Sequence, residues 1–250
     1  MLTTDGIVLR ERHAGESDKF IDILTQDSGV IEVCVKGARK LGSKNHATTQ
    51  PFTYASFCIS SRGDRNYLNS SELIKSFYAL RLDLQKLSLA SYFSEITAFA
   101  AGNQEQGGEL LRLFLNTVYY LSRGDRSLAL LKSVYELRFL AEIGLMPDLL
   151  ACHGCGKYEC EKMFFHLSEG TLLCEQCYDG HEGERVVSLT PSVLKAMRHI
   201  TLAGFDRLYN FKISEMSSNK LSFITERFLL TQLDASFKTL DFYKTTLDDE

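Results

Sequence analysis

The chain has 250 residues, 44% of them apolar, with 28 Lys and Arg against 32 Asp and Glu and a formal net charge of −4. That apolar content is enough for one or two globular domains. The charge excludes a histone-like polycation, so any affinity for nucleic acid must come from a local patch. Uninterrupted apolar runs reach only about four residues, against the ~18 of a membrane span, and Asp5, Arg10 and Glu11 stand where a signal peptide would be apolar. The expectation is a soluble, cytoplasmic protein with no membrane partner. In that setting its seven cysteines read as metal ligands or buried thiols rather than disulfides.

Residues 1–80 read as short strands. Residues 6–12 alternate, with Ile7, Leu9 and Glu11 on one side and Val8, Arg10 and Arg12 on the other. Residues 20–25 form a second run around Ile21 and Ile23. Asp27-Ser28-Gly29 is a hairpin turn into a third run, 30–36, where Ile31, Val33 and Val35 share a face. A loop at 37–50 is almost free of apolar residues. Residues 52–61 and 66–73 are the fourth and fifth runs, joined by Arg62-Gly63-Asp64-Arg65. Five short strands with one buried face each predict a small antiparallel barrel, of the oligonucleotide-binding (OB) type or SH3-like.

From residue 81 the period becomes helical. Leu84, Leu87, Ile96 and Phe99 suit a helix ended by Gly102. Leu110, Leu111, Phe114, Leu115, Val118 and Leu121 mark a second, stopped near Gly124. Leu130, Leu131, Val134, Leu137, Leu140 and Ala141 mark a third, ended by Gly144 with Pro147 beyond. Residues 151–184 are rich in cysteine, glycine and charge. Thr190-Pro191 is an N-cap followed by proline at the first helical position, opening a helix lined by Val193, Leu194, Met197 and Ile200. A last helix covers 219–233, and a polar tail follows. The reading is an α+β multidomain chain: a five-stranded barrel at 1–80, a helical domain at 81–150 and 185–250, and a small metal module inserted at 151–184.

The strongest motif is Cys152-x2-Cys155, eighteen residues, then Cys174-x2-Cys177, the spacing of a zinc ribbon. Four thiolates leave no open coordination position, so the expected Zn²⁺, one per chain, is structural. Cys160, His153, His166 and His181 are nearby substitutes, each better read as a surface or packed residue. A second motif is the basic loop Lys36-Gly37-Ala38-Arg39-Lys40-Leu41-Gly42-Ser43-Lys44. No carboxylate occurs between Glu32 and Asp64. Mobile cations over glycine turns suit backbone phosphates. Arg10 and Arg12 extend the patch, and Phe52, Tyr54, Phe57 and Tyr67 are stacking candidates better read as core. The Gly37-x4-Gly42-Ser43-Lys44 run inverts the last two residues of a Walker A loop, and no apolar helix follows it. Neither Gly-x-Ser-x-Gly nor His-Glu-x-x-His occurs, nor does the zinc-deaminase signature. No enzymatic activity is expected.

Together these residues resemble the bacterial RecO family of DNA repair and recombination mediators. The resemblance is carried by Gly6-Ile7-Val8-Leu9, Gly15-Glu16-Ser17-Asp18-Lys19, Lys36-Gly37-Ala38-Arg39-Lys40, Gln50-Pro51-Phe52 and the cysteine module, and more loosely by Arg227-Phe228-Leu229-Leu230. It implies an OB barrel, a helical domain and a zinc insert. It also implies binding of single- and double-stranded DNA, annealing of complementary strands, and loading of RecA onto strands coated by single-strand-binding protein (SSB). The implied partners are RecR, in some cases RecF, and the C-terminal tail of SSB. Arg39 and Lys40 carry over as DNA contacts and the four cysteines as zinc ligands; Lys36 and Lys44 are added on charge and position. The acidic balance departs from a broad basic surface. The alternative is a zinc-stabilised protein-interaction scaffold without direct DNA binding.

Overall fold

The structure, a computed structural model, describes residues 1–38, 40, 43–100, 107–180 and 183–248; Arg39, Leu41, Gly42, Gly102 and His181 lie outside them. Strands β1 (Leu2–Ala14), β2 (Asp18–Thr25), β3 (Gly29–Val35), β4 (Thr53–Arg62) and β5 (Arg65–Ser76) close a barrel in the order β1-β2-β3-β5-β4. The β3–β5 pair is parallel and the other pairs are antiparallel, with β1 against β4 closing the ring. This is the OB arrangement, and it removes the SH3-like alternative. Val8, Ile21, Ile23, Val33, Val35, Ala55, Phe57 and Ile59 fill the interior. Each large aliphatic or aromatic side chain among them contributes about 1.5–3 kcal/mol by leaving water. Gly6 is required where β1 meets β2: a Cβ there would lie 2.6 Å from Ile23 Cγ2 and 2.7 Å from the Leu24 carbonyl oxygen.

Simple alternation fails in β1. Ile7, Val8 and Leu9 are all buried, because the barrel interior lies on one side and a helix packs on the other. The register with β2 slips between Val8 and Arg10, leaving Leu9 as the extra residue of a bulge. Beyond it the parity is reversed. Arg10 stands opposite Asp22 on the outer face, and Glu11 stands opposite the interior residue Ile21. Glu11 therefore meets Lys19 at the barrel end, where the buried Lys19 Nζ lies 2.6 Å from Glu11 Oε2 and donates to the Thr49 carbonyl at 2.8 Å. A buried ammonium is tolerable only with such partners.

A 3₁₀ turn (Tyr78–Leu82) leads to α1 (Leu84–Ala100) and α2 (Gly108–Arg123). Asp83 caps α1, accepting the Lys86 N–H at 3.1 Å, and that bond lowers its carboxyl pKa. The buried arc of α1 is Leu89, Tyr92, Phe93 and Ile96. Leu84 and Phe99 of the expected stripe are exposed, because α1 turns the arc of Leu89, Tyr92, Phe93 and Ile96 inward instead, and its neighbours include β1, α2 and an unforeseen helix. That helix is α6 (Lys238–Asp248), where the sequence predicts a polar tail. Phe237, Leu240, Tyr243 and Thr246 are buried at intervals of three, which puts them on one helical face. Glu95 Oε2 accepts from both the backbone N–H (3.1 Å) and the hydroxyl (2.5 Å) of Thr239, tying α6 to α1.

Compactness groups residues 1–125 with 237–250 in one unit and places 126–236 in a second. In the second, α3 (Leu128–Glu142), α4 (Pro191–Leu202) and α5 (Glu215–Leu233) pack together beside a three-stranded sheet. The sheet has β6 (Met163–His166) between β7 (Thr171–Cys174) and β8 (Val186–Leu189). Thr190 caps α4 by accepting from the Val193 N–H, with Pro191 in the first turn as expected. α3 buries its apolar stripe and also Lys132 and Glu136. Lys132 Nζ lies 2.9 Å from both Glu136 Oε1 and Glu226 Oε2, and Thr225 donates to the other Glu136 oxygen. No helix among the described residues is long and apolar enough to cross a membrane.

Candidate nucleic-acid interface and metal centre

The basic loop leaves β3 at Lys36 and turns at Gly37, whose φ of 62° lies in the left-handed region. Asp18, at the start of β2, accepts the Gly37 N–H at 2.8 Å. That bond, with smaller contributions from Lys36 and Lys40, holds the Asp18 carboxyl below its ordinary value. The Lys40 N–H then bonds the Gly37 carbonyl and the Ser43 N–H the Lys40 carbonyl. The loop is thus pinned at its root while Lys36, Lys40 and Lys44 remain exposed. None of the three forms an ion pair among the described residues.

The parallel pairing of β3 with β5 sets Cys34 opposite Tyr67, so Lys36, two residues further on, reaches that ring. Its Nζ lies 5.3 Å from the Tyr67 centroid, and Arg62 Cζ lies 6.0 Å from it. Arg62 and Arg65 face each other across the β4–β5 hairpin, both exposed, with Asp64 at the tip. The result is a half-exposed aromatic ring between cations. In the sequence Arg62 counts toward the carboxylate-free positive stretch that holds Lys36, and Arg62 with Arg65 reads as a turn. Their place beside Lys36 depends on a strand pairing between residues about thirty positions apart, which no local pattern reveals.

Arg10 and Arg12 face outward, but not alone. Arg10 Nε lies 2.5 Å from Asp22 Oδ2 and Arg12 Nη2 lies 3.1 Å from Asp22 Oδ1. Arg12 also pairs with Glu32, the interaction that does most to raise its pKa. The four charges cancel. Of the four stacking candidates, Phe52 and Phe57 are buried, and Tyr67 is the one that stands beside a lysine of the loop, Lys36.

In the second unit the four cysteines converge, their sulfurs all within 4.8 Å of one another. The two Cys-x2-Cys turns are closed by backbone bonds from the Gly156 N–H to the Cys152 carbonyl (2.8 Å) and from the Cys177 N–H to the Cys174 carbonyl (3.0 Å). Cys155 and Cys174 sulfurs lie 3.6 Å apart, close to the ~3.8 Å edge of a tetrahedron with 2.3 Å zinc–sulfur bonds. Cys152 is buried, which alone would raise its thiol. Backbone N–H groups of Cys174, Cys155 and Gly154 outweigh burial and bring its pKa down to about 6. Cys177, facing Cys155, Cys174 and Cys152, is pushed up to about 12. Backbone N–H groups and the neighbouring thiols likewise lower Cys174 against its burial, while Cys155 is raised. A cluster that favours two thiolates and resists the other two is what a divalent cation neutralises. Among the described residues no histidine or further cysteine joins the group. His166 Nδ1 accepts from the Glu169 N–H, and Cys160 sits on Lys162 and Met163.

An OB barrel carrying a cationic loop, followed in the chain by helices with a four-cysteine module between them, defines a class of multidomain α+β protein. Residues 1–77 match the family model for the recombination protein O N terminal region and residues 81–241 that for its C terminal region. The chain is similar to the DNA repair protein RecO of Acetivibrio thermocellus, 32% identical over 98% of this chain and 96% of that protein. It is 28% identical to the RecO of Caldicellulosiruptor bescii, covering 98% of each, and 28% identical to that of Alkaliphilus metalliredigens, covering 98% and 99%. The chain belongs to the RecO family of DNA repair proteins.

Proposed function

We propose that this chain is a non-enzymatic, cytoplasmic recombination mediator that binds single- and double-stranded DNA through its barrel and anneals complementary strands. On this reading it helps load RecA onto SSB-coated DNA, with RecR and the C-terminal tail of SSB as partners and RecF as a further one in some cases. Residues 1–80 are the nucleic-acid-binding domain, 81–150 and 185–250 the helical domain, and 151–184 the zinc-ribbon insert. The observation that carries the reading is the cluster at the barrel end: Lys36 and Arg62 around Tyr67, with Lys40 exposed on the same loop. Cations neutralise phosphates and the ring offers a face for a base. Arg39, outside the described residues, and Lys44 extend the same loop. Arg10 and Arg12 contribute only by exchanging Asp22 and Glu32 for phosphate.

Cys152, Cys155, Cys174 and Cys177 hold one Zn²⁺. With all four positions filled by sulfur, the metal supplies folding free energy and no reactive water.

The test is titration of labelled single-stranded DNA at several salt concentrations. Replacing Lys36 and Lys40 by glutamine should weaken binding and reduce the salt slope by about 0.7 for each phosphate no longer neutralised. Identical slopes overturn the assignment. An annealing assay on SSB-coated complementary oligonucleotides then separates mediation from binding alone. A protein-interaction scaffold without direct DNA binding is the second reading. It is favoured by exposed Met146, Leu150 and Leu202 around a cavity of about 340 Å³, and a salt-independent protein complex with no DNA shift would select it.

A further inference from the structure

The arrangement at Tyr67 occurs a second time along the same strand. Lys75 Nζ lies 4.5 Å from the centroid of Tyr119, on α2, and 5.1 Å from that of Phe77. Arg123 Cζ lies 5.6 Å from the same Tyr119 ring and donates to its hydroxyl at 3.2 Å. Each tyrosine is thus flanked by one lysine and one arginine. Tyr119 is 36% exposed, and Lys75 is exposed and forms no ion pair among the described residues. Arg123 is paired with Asp125 at 2.9 Å.

The strand aligns the two clusters. Leu68 and Leu73 stand opposite the interior residues Ile59 and Ala55, whereas Tyr67 stands opposite Ser60 and Lys75 opposite Tyr54. Slips in the β4–β5 register leave Asn69 and Ile74 as extra residues. The two slips cancel, so Tyr67, Ser70, Glu72 and Lys75 all lie on the outer face. Their partners Ser60 and Tyr54 are six residues apart on β4, which at about 3.3 Å each separates Tyr67 from Lys75 by roughly 20 Å. That is the length of about six nucleotides of a stacked strand at ~3.4 Å each, within the 4–16 nucleotides that one OB fold engages.

We propose that the outer face of β5 is a track for single-stranded nucleic acid, and that Lys75, Tyr119 and Arg123 form a second binding cluster at its far end. The proposal rests on the reading that the barrel binds nucleic acid at Lys36, Lys40 and Tyr67. A strand held there continues past Ser70 to the second ring. Lys75 leaves the Tyr119 ring for a phosphate, and a base takes its place. Glu72 stands between the clusters and opposes the strand.

The experiment uses the full chain, fluorescent oligothymidines of about 5 and about 15 nucleotides, and anisotropy over a salt series. Lys75→Gln and, separately, Tyr119→Leu with Arg123→Gln should each weaken the long oligomer about fivefold while leaving the short one within about twofold. Each cation removed should lower the long oligomer's salt slope by about 0.7. Glu72→Gln should tighten the long oligomer. Both sets of variants change exposed groups, and unaltered thermal melts establish that they fold. Unchanged affinity for the long oligomer in both overturns the proposal, as does an equal loss for both lengths. Lys36→Gln with Lys40→Gln provides the separate reading. If it leaves both lengths unaffected while Lys75→Gln weakens the long one, the barrel-end site fails and the second cluster stands. If the wild-type chain binds neither oligomer, both fall.

Discussion

In the barrel, Val8, Ile23, Val33 and Phe57 fill an interior that closes on itself, and the charged loop is held to it at its root by the bond from Gly37 to Asp18 and at its far end by Lys19 on the Thr49 carbonyl. In the cysteine module each strand has four residues, too few to enclose a core of their own. Its largest buried ring, Phe165, leans edge-on against Phe228 of α5 with centroids 5.0 Å apart. What the module has instead is four sulfurs aimed at one point. One region has apolar cohesion and uses it to hold cations apart in solvent; the other lacks cohesion and gathers would-be anions together. The sign of the missing partner follows: polyanionic for the loop, cationic for the cysteines. The geometry of each site therefore depends on a different source of free energy, and each can be removed without the other.

The largest effect is expected at the cysteines. Structural zinc contributes about 10–16 kcal/mol of apparent binding free energy in small domains, so Cys174→Ser should abolish stoichiometric zinc and unprotect the β6–β7 amides in hydrogen exchange. The barrel amides should keep their protection. Zinc well below half an equivalent in the wild-type chain, prepared without chelator, would break the comparison at its root. Next comes the barrel: Phe57→Ala should cost about 3–5 kcal/mol, seen as a lower midpoint in denaturant. Zinc content should stay at one equivalent. Loss of zinc together with the barrel would show that the two regions are not energetically separate.

How much of this was legible in the sequence follows from which interactions are local. The cysteine spacing, the Thr190-Pro191 cap and the hairpin turn ending at Gly29 are local chemistry, and each stands where the pattern puts it. Four of the five strands carry buried side chains that made them legible, and β5, which has only half-buried ones such as Leu68, was legible from its alternation and the turn before it. That they form a small barrel was legible too; the parallel β3–β5 pairing within it was not, since it joins Cys34 to Tyr67 and nothing near either residue encodes it. The outward set of Arg10 and Arg12 comes from alternation that the bulge at Leu9 in fact reverses. Their partner Asp22 is in plain view on β2, but only register shows that it faces them. The spacing of Phe237, Leu240 and Tyr243 is a readable helical signal, masked by Lys238, Thr239 and Asp241 among them and by the acidic end that follows.

The finest test bears on the bond that holds the root of the loop. Asp18 has its carboxyl pKa depressed below the ordinary 3.8 by the Gly37 N–H. The stability it contributes is fully present above that ordinary value, and it is lost as pH falls through the lower folded-state value. The Gly37 amide proton should therefore move upfield in an NMR titration with a midpoint below 3.8; a midpoint at or above that value removes the tether. Asp18→Asn separates tether from charge, because the amide oxygen still accepts from Gly37 while the anion beside Lys36 and Lys40 is gone. If the loop binds polyanions, this variant should bind single-stranded DNA roughly twofold tighter at low ionic strength, with the advantage fading as salt screens it. Weaker binding at every salt concentration would mean that Asp18 acts through the position of the loop and not through its field.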